Sequence, residues 1–127
     1  MPSTTFAADP SPVDFDHLAR MTLGDSSLER EVLEMFVKQA GRLLAALVDQ
    51  SAEAAALAHT LKGSARAIGA FGVAGCASAL EDAARRGHDG VPELAALQAS
   101  LAKARTAIET RLARRGPPTK TAEDKKP

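Results

Sequence analysis

Ala58-His59-Thr60-Leu61-Lys62-Gly63-Ser64-Ala65-Arg66-Ala67-Ile68-Gly69 is the stretch on which the reading of this chain turns. Taken as a helix turning about 100° per residue, it divides into two faces. Leu57, Leu61, Ala65 and Ile68 recur at i, i+4, i+8 and i+11, a stripe that belongs against a core. His59 lies roughly 200° from both Leu57 and Leu61, so it points toward water. Its helical neighbours on that outward face are Ala55, Lys62, Gly63 and Arg66. A solvent-facing imidazole therefore has an ammonium one turn on, a position without a side chain beside it, and a guanidinium two turns on.

Each neighbour has a physical use if the imidazole carries an anionic group. An exposed imidazole is substantially neutral at neutral pH, which leaves one ring nitrogen with a free lone pair. Lys62, three positions on, can reach oxygens of a group bound there and offset their charge. Glycine inside a helix costs about 0.5–1 kcal/mol relative to alanine, so Gly63 calls for a reason. Access for a second macromolecule is one reason and close helix packing is another. A lone surface histidine beside a lysine is, on position alone, usually a solvated helix face. The whole string tips the balance. His-x-Leu-Lys-Gly-Ser-Ala, closed by Ile68-Gly69, resembles the core motif of histidine-containing phosphotransfer (HPt) domains, which pass phosphoryl groups between receiver domains in phosphorelays. The resemblance runs from about Phe15 to about Arg114. It implies that His59 is the phospho-acceptor, with Lys62 and Gly63 beside it and weaker assistance from Ser64 and Arg66.

Composition narrows the alternatives. A chain of 127 residues has room for one domain with an ordinary core. Hydrophobic residues make up 45% and aromatic residues 3%, with no Trp or Tyr, which favours closely packed helices over a sheet. Sixteen basic residues balance sixteen acidic ones, and no helix carries a basic stripe interleaved with aromatics, so nucleic acid has little support as a partner. The single Cys76 rules out an internal disulfide and suits a reducing cytoplasm; its place on an apolar stripe predicts a buried, inert thiol. No apolar run approaches the roughly 18 residues of a membrane span. The N-terminus lacks the pattern of a secretory signal.

In chain order, residues 1–12 read as a flexible lead-in, 13–115 as one helical domain and 116–127 as a disordered tail rich in Pro and Lys. Asp14 can cap a short helix in which Phe15, Leu18 and Met21 form an apolar edge, ended at Gly24. Asp25 and Ser26 both offer N-caps for the next helix, Ser26 with Glu29 at capping-box spacing, and it is expected to run to about Asp49. Its core face is expected through Leu28, Val32, Met35/Phe36, Ala40, Leu43 and Leu47, with Glu29 on the solvent side; Gln39 and Arg42 could flank a docking surface beside His59. The His59 helix should begin at Ser51 or Ala52 and break at Gly69-Ala70 or Gly72, with Phe71 buried at the corner. The helix after it covers about Phe71 to Arg86, where Gly72, Gly75, Ser78 and Ala79 would let another backbone approach. If these two helices form a hairpin with its corner near Ala70, paired positions sum to about 140, and Glu81 stands level with His59. A carboxylate there would take a hydrogen bond from one imidazole nitrogen and raise the basicity of the other; the competing role is an i, i+4 pair with Arg85. Pro92 opens the last helix, whose seam is Leu94, Leu97, Leu101, Ala104, Ile108 and Leu112.

The fold class expected is all-α: an antiparallel up-down four-helix bundle with a short extra N-terminal helix. The family resemblance implies a phosphocarrier that accepts a phosphoryl group on His59, at Nε2, from a receiver-domain aspartyl phosphate and passes it to another receiver. The partners implied are response-regulator receiver domains and/or a hybrid histidine kinase, met by a cytoplasmic monomer. No cofactor is expected: magnesium would sit on the receiver, since no carboxylate cluster here suits it. No glycine-rich phosphate loop follows a strand, so kinase or ATPase activity is not expected either. Two other classes stand beside this one. The first is a non-phosphorylated adaptor. The second is a metal- or haem-binding bundle drawing on His17, His59, His88, Met21 or Met35; it fits poorly because no His has a carboxylate or another His at the spacing such a site requires.

Overall fold

Ser26–Asp49, Ala54–Ile68, Phe71–Arg85 and Val91–Arg115 are the long helices among the described residues. In the computed structural model, which describes residues 11–49 and 51–115, they are α2, α3, α4 and α5, preceded by the short α1 (Phe15–Met21). Apart from Ser11 and Pro12, the expected lead-in and tail lie outside the described residues. Among those residues there is no strand, and a single 3₁₀ turn at Ser51–Glu53 precedes α3, which therefore starts two or three residues later than its sequence suggested. Each long helix packs on the next and α5 returns to α2, which closes an antiparallel bundle; α1 lies against α3 and α2.

Polar side chains start the first two helices. Asp14 accepts from the His17 amide at 3.0 Å and Asp25 accepts from the Leu28 amide at 3.0 Å. The cap of α2 is thus Asp25, and the expected Ser26–Glu29 capping box does not form. Glu29 instead turns inward, 3% exposed, and takes two hydrogen bonds from Arg111 of α5, Nε at 2.9 Å and Nη2 at 3.2 Å. The face of α2 is rotated accordingly. Leu33, Phe36, Ala40 and Leu47 are buried, whereas Leu28 and Met35, expected in the core, are exposed, Met35 by 68%. Over a long helix two adjacent stripes are both apolar enough to serve. Packing against α3 and α5 together, with Arg111 drawing Glu29 in, selects between them.

The α3–α4 corner positions everything that follows. Gly69 ends α3 in the left-handed region at φ +88°, and the Gly69 and Ala70 amides donate back to Arg66 O and Ala65 O. Asp14 N donates to Gly69 O at 2.8 Å, while a Cβ on Gly69 would stand 2.7 Å from Asp14 O. Val13 and Ala70 fill the inside of this corner. Phe71 is consequently left half exposed instead of buried, with its ring edge-on to His17 at 5.3 Å. Met21, expected on the apolar edge of α1, is also exposed, while Leu18 is buried. On α4 a Cβ at Gly72 would lie 3.4 Å from Ser100 Oγ of α5, whereas one at Gly75 would meet nothing within 4 Å. Cys76 is half-buried against the core.

Gly69→Ala combines a left-handed φ, which costs about 1–2 kcal/mol for a side-chain-bearing residue, with a backbone clash. It should lower stability by about 2 kcal/mol or more in a denaturant titration. A stability equal to wild type would show that the corner does not depend on this glycine.

Candidate functional site

His59 stands near the middle of α3 with its side chain 63% exposed, and Glu81 lies opposite on α4 with its side chain 7% exposed. The antiparallel hairpin brings Glu81 Oε2 to 3.0 Å from His59 Nδ1 and Glu81 Oε1 to 2.8 Å from Lys62 Nζ. The alternative partner is present as well: Arg85 donates to Oε2 through Nε at 3.1 Å and Nη2 at 2.7 Å. One buried carboxylate thus holds an imidazole and two cations.

The electrostatics follow from this crowding. The Lys62 ammonium, then the Arg85 guanidinium, hold the Glu81 carboxyl down to about 2 against the opposing effect of its burial, with a further contribution from His59. Glu81 is therefore ionised at neutral pH and can only accept hydrogen bonds. Nδ1 must donate, so the neutral imidazole carries its proton on Nδ1 and its lone pair on Nε2. Among the described residues no protein group bonds Nε2.

The other predicted residues are spread around this centre. Lys62 is not a loose surface ammonium: its side chain is 19% exposed and is engaged by Glu81. Gly63 is exposed, and nothing lies within 4 Å of the place a Cβ would take. Packing among the described residues does not require a glycine here. Arg66 stands exposed one turn beyond Lys62. Ser64 is carried about 140° round the helix from His59, into a groove of about 500 Å³ between α2 and α3. Gln39 and Arg42 line the same groove, with Val32 and Met35 supplying apolar surface, whereas His59 is not part of its lining. His17 is held at the α3–α4 corner by Ala67 O at 3.2 Å, and His88 is exposed in the turn after α4, so the three histidines do not converge. Among the described residues no three His, Cys, Asp or Glu side chains are grouped to hold a metal. No helix of the described residues is long and apolar enough to cross a membrane.

Arg85 was legible only as an i+4 neighbour of Glu81. Its position as the second cation on the same carboxylate needs the coordinates.

The class of protein defined here is a four-helix bundle that offers an exposed imidazole whose tautomer is set by a buried carboxylate. The Hpt domain family matches residues 31–112, most of the chain, and the protein belongs to that family. A solved structure, that of histidine-containing phosphotransfer protein B (HptB) from Pseudomonas aeruginosa PAO1, is similar with a TM-score of 0.73 and 25% identity; the match covers 84% of this chain and 98% of that one. No curated protein matches the chain. The family match begins within α2, so α1 and Glu29 lie before it.

Because the folded Glu81 carboxyl titrates at about 2 against an ordinary 4.5, its ionised form is favoured by folding. Its contribution to stability is complete above about pH 4.5 and disappears as pH falls through about 2. Denaturant titrations of wild type and Glu81→Gln should therefore differ at neutral pH and converge over that acid window. A pH-independent difference would contradict the assignment.

Proposed function

We infer that His59 is the phosphoryl carrier of this protein. Membership in the Hpt family assigns the chain to phosphotransfer in phosphorelays. The observation that carries the residue assignment is the hydrogen bond of His59 Nδ1 to an ionised, buried Glu81, because it leaves the Nε2 lone pair facing out.

The step has a simple balance. Nε2 attacks the phosphorus of a receiver's aspartyl phosphate, the Nε2–P bond forms, and the P–O bond to the aspartyl group breaks. The electron pair leaves with the receiver's carboxylate. Nδ1 keeps its proton, and the positive charge that develops on the ring is offset by Glu81 at 3.0 Å. A second receiver reverses the sequence and removes the group. Positioning and charge compensation carry such transfers, and a bundle with a rigid helix pair supplies both. Magnesium is supplied by the receiver. The chain itself takes no phosphate from ATP and receives it from a receiver domain or a histidine kinase. It does so as a cytoplasmic monomer.

Docking uses the face around His59 and Gly63. The α2–α3 groove, with apolar Val32 and Met35 and cationic Lys38 and Arg42, offers an adjoining surface for the partner.

Incubation with a phosphorylated receiver domain should give acid-labile, base-stable label on the wild type and none on His59→Gln, with unchanged helicity by circular dichroism because the ring is exposed. Label persisting in that variant would place the acceptor elsewhere. At Gly63 two substitutions should part company. Gly63→Ala should stabilise the helix by about 0.5–1 kcal/mol. Gly63→Leu should weaken receiver binding at least tenfold in a titration, and unaltered affinity would remove the access argument.

A further inference from the structure

The two oxygens of Glu81 are not used alike. Oε1 takes one partner, Lys62 Nζ at 2.8 Å, whereas Oε2 takes His59 Nδ1 and both Nε and Nη2 of Arg85. Lys62 stands on α3, one turn from His59; Arg85 stands on α4, one turn from Glu81 itself. Withdrawing Lys62 would empty one oxygen without stripping the carboxylate of its compensation, since the guanidinium and the imidazole N–H remain on the other. Withdrawing Lys62 in the absence of Arg85 would leave a buried carboxylate facing a single N–H, and such burial is strongly opposed.

On the reading of His59 as the carrier, we propose that Lys62 is an exchangeable cation, which leaves Glu81 for the phosphoryl oxygens when Nε2 is loaded, and that Arg85 is the positioning residue that allows it to leave. The charges support this. Before loading, one carboxylate faces two cations, an excess of one positive charge. A phosphoryl group adds about two negative charges at neutral pH. Glu81 with Arg85 then forms one neutral pair, and Lys62 is the cation left for the phosphoryl group on its own helix. The residue types suit the two tasks. Arg85 presents a planar fork that places two donors on a single oxygen, and its i+4 spacing from Glu81 does not depend on how α3 and α4 are registered. Lys62 is a single ammonium on a flexible four-carbon chain, able to turn from one anion to another within reach.

The exchange is tested on the full chain with phosphoramidate as donor, so that receiver docking plays no part. Phosphoramidate reacts in its nitrogen-protonated form: Nε2 attacks phosphorus, the Nε2–P bond forms, and ammonia departs with the electron pair of the broken P–N bond and the proton its nitrogen already carried. Two quantities are read: the half-life of the phosphohistidine, and the side-chain NMR signals of Lys62 before and after loading. In the wild type the Lys62 signals should move on loading. In Arg85→Ala, His59 should still take label, but the Lys62 signals should stay near their unloaded positions. The half-life should shorten several-fold, toward that of Lys62→Ala, and Arg85→Lys should recover part of it. In the double variant the half-life should be no shorter than in Lys62→Ala alone, because Arg85 acts through Lys62. An Arg85→Ala half-life equal to wild type overturns the proposal, as does further shortening by Arg85→Ala when Lys62 is already absent, which would mean that Arg85 touches the phosphoryl group directly. Lys62 signals that do not move in loaded wild type overturn it too. Absence of label on wild-type His59 would be a different failure, one that removes the carrier reading itself.

Discussion

A carboxylate buried at a helix joint has to be compensated, and the α3–α4 pair is built around meeting that need at Glu81. The compensation comes from both helices, Lys62 and His59 from one and Arg85 from the other. This makes the charge a register lock. Sliding α4 by one residue along α3 would shift Glu81 by about 1.5 Å and turn it by about 100°, away from both α3 partners. The same lock prepares the imidazole: a carboxylate kept ionised can only accept, so the ring proton is fixed on Nδ1 and the outward nitrogen is left basic. Structural and chemical duties coincide in one side chain.

The register itself is set one end away, at the Gly69 corner. The left-handed glycine turns the chain with no spare residues, and the entry to α1 closes over it through Asp14. The same end of the bundle holds a second buried carboxylate, Glu29, solved differently. Arg111 places one N–H on each of its oxygens, and the guanidinium also lies 4.5 Å over the Phe15 ring. That arrangement ties α1, α2 and α5 together. Glu81 shares its oxygens among three residues and sits beside an exposed ring. Burial and pairing with cations are common to both glutamates, and Glu81 is in addition bonded to an exposed imidazole.

Much of the candidate site was readable without coordinates. The offsets of Lys62 and Gly63 from His59 are properties of a single helix, and a helix period is enough to place them. The level placement of Glu81 required one further assumption, a tight corner near residue 70, and glycine at position 69 made that assumption sound. What failed was of another kind. Glu29 looked like a capping residue, Met35 like a core residue and Phe71 like a corner plug, because each fits a local pattern that has two readings. Lys62 was expected to be available at the surface, since nothing in its own helix shows that it is already held.

Local order in this molecule, then, is a matter of pattern: apolar recurrence produces four long helices, and a glycine in the left-handed region with short links makes them antiparallel. Which polar groups go inside is a matter of partners. Glu29 is buried because a guanidinium 82 positions away reaches it, and Glu81 because a neighbouring helix brings an ammonium and an imidazole. Periodicity records which side chains avoid water. It carries no information about a charge whose burial is made tolerable by residues distant in the chain, and for such groups the packed bundle alone decides.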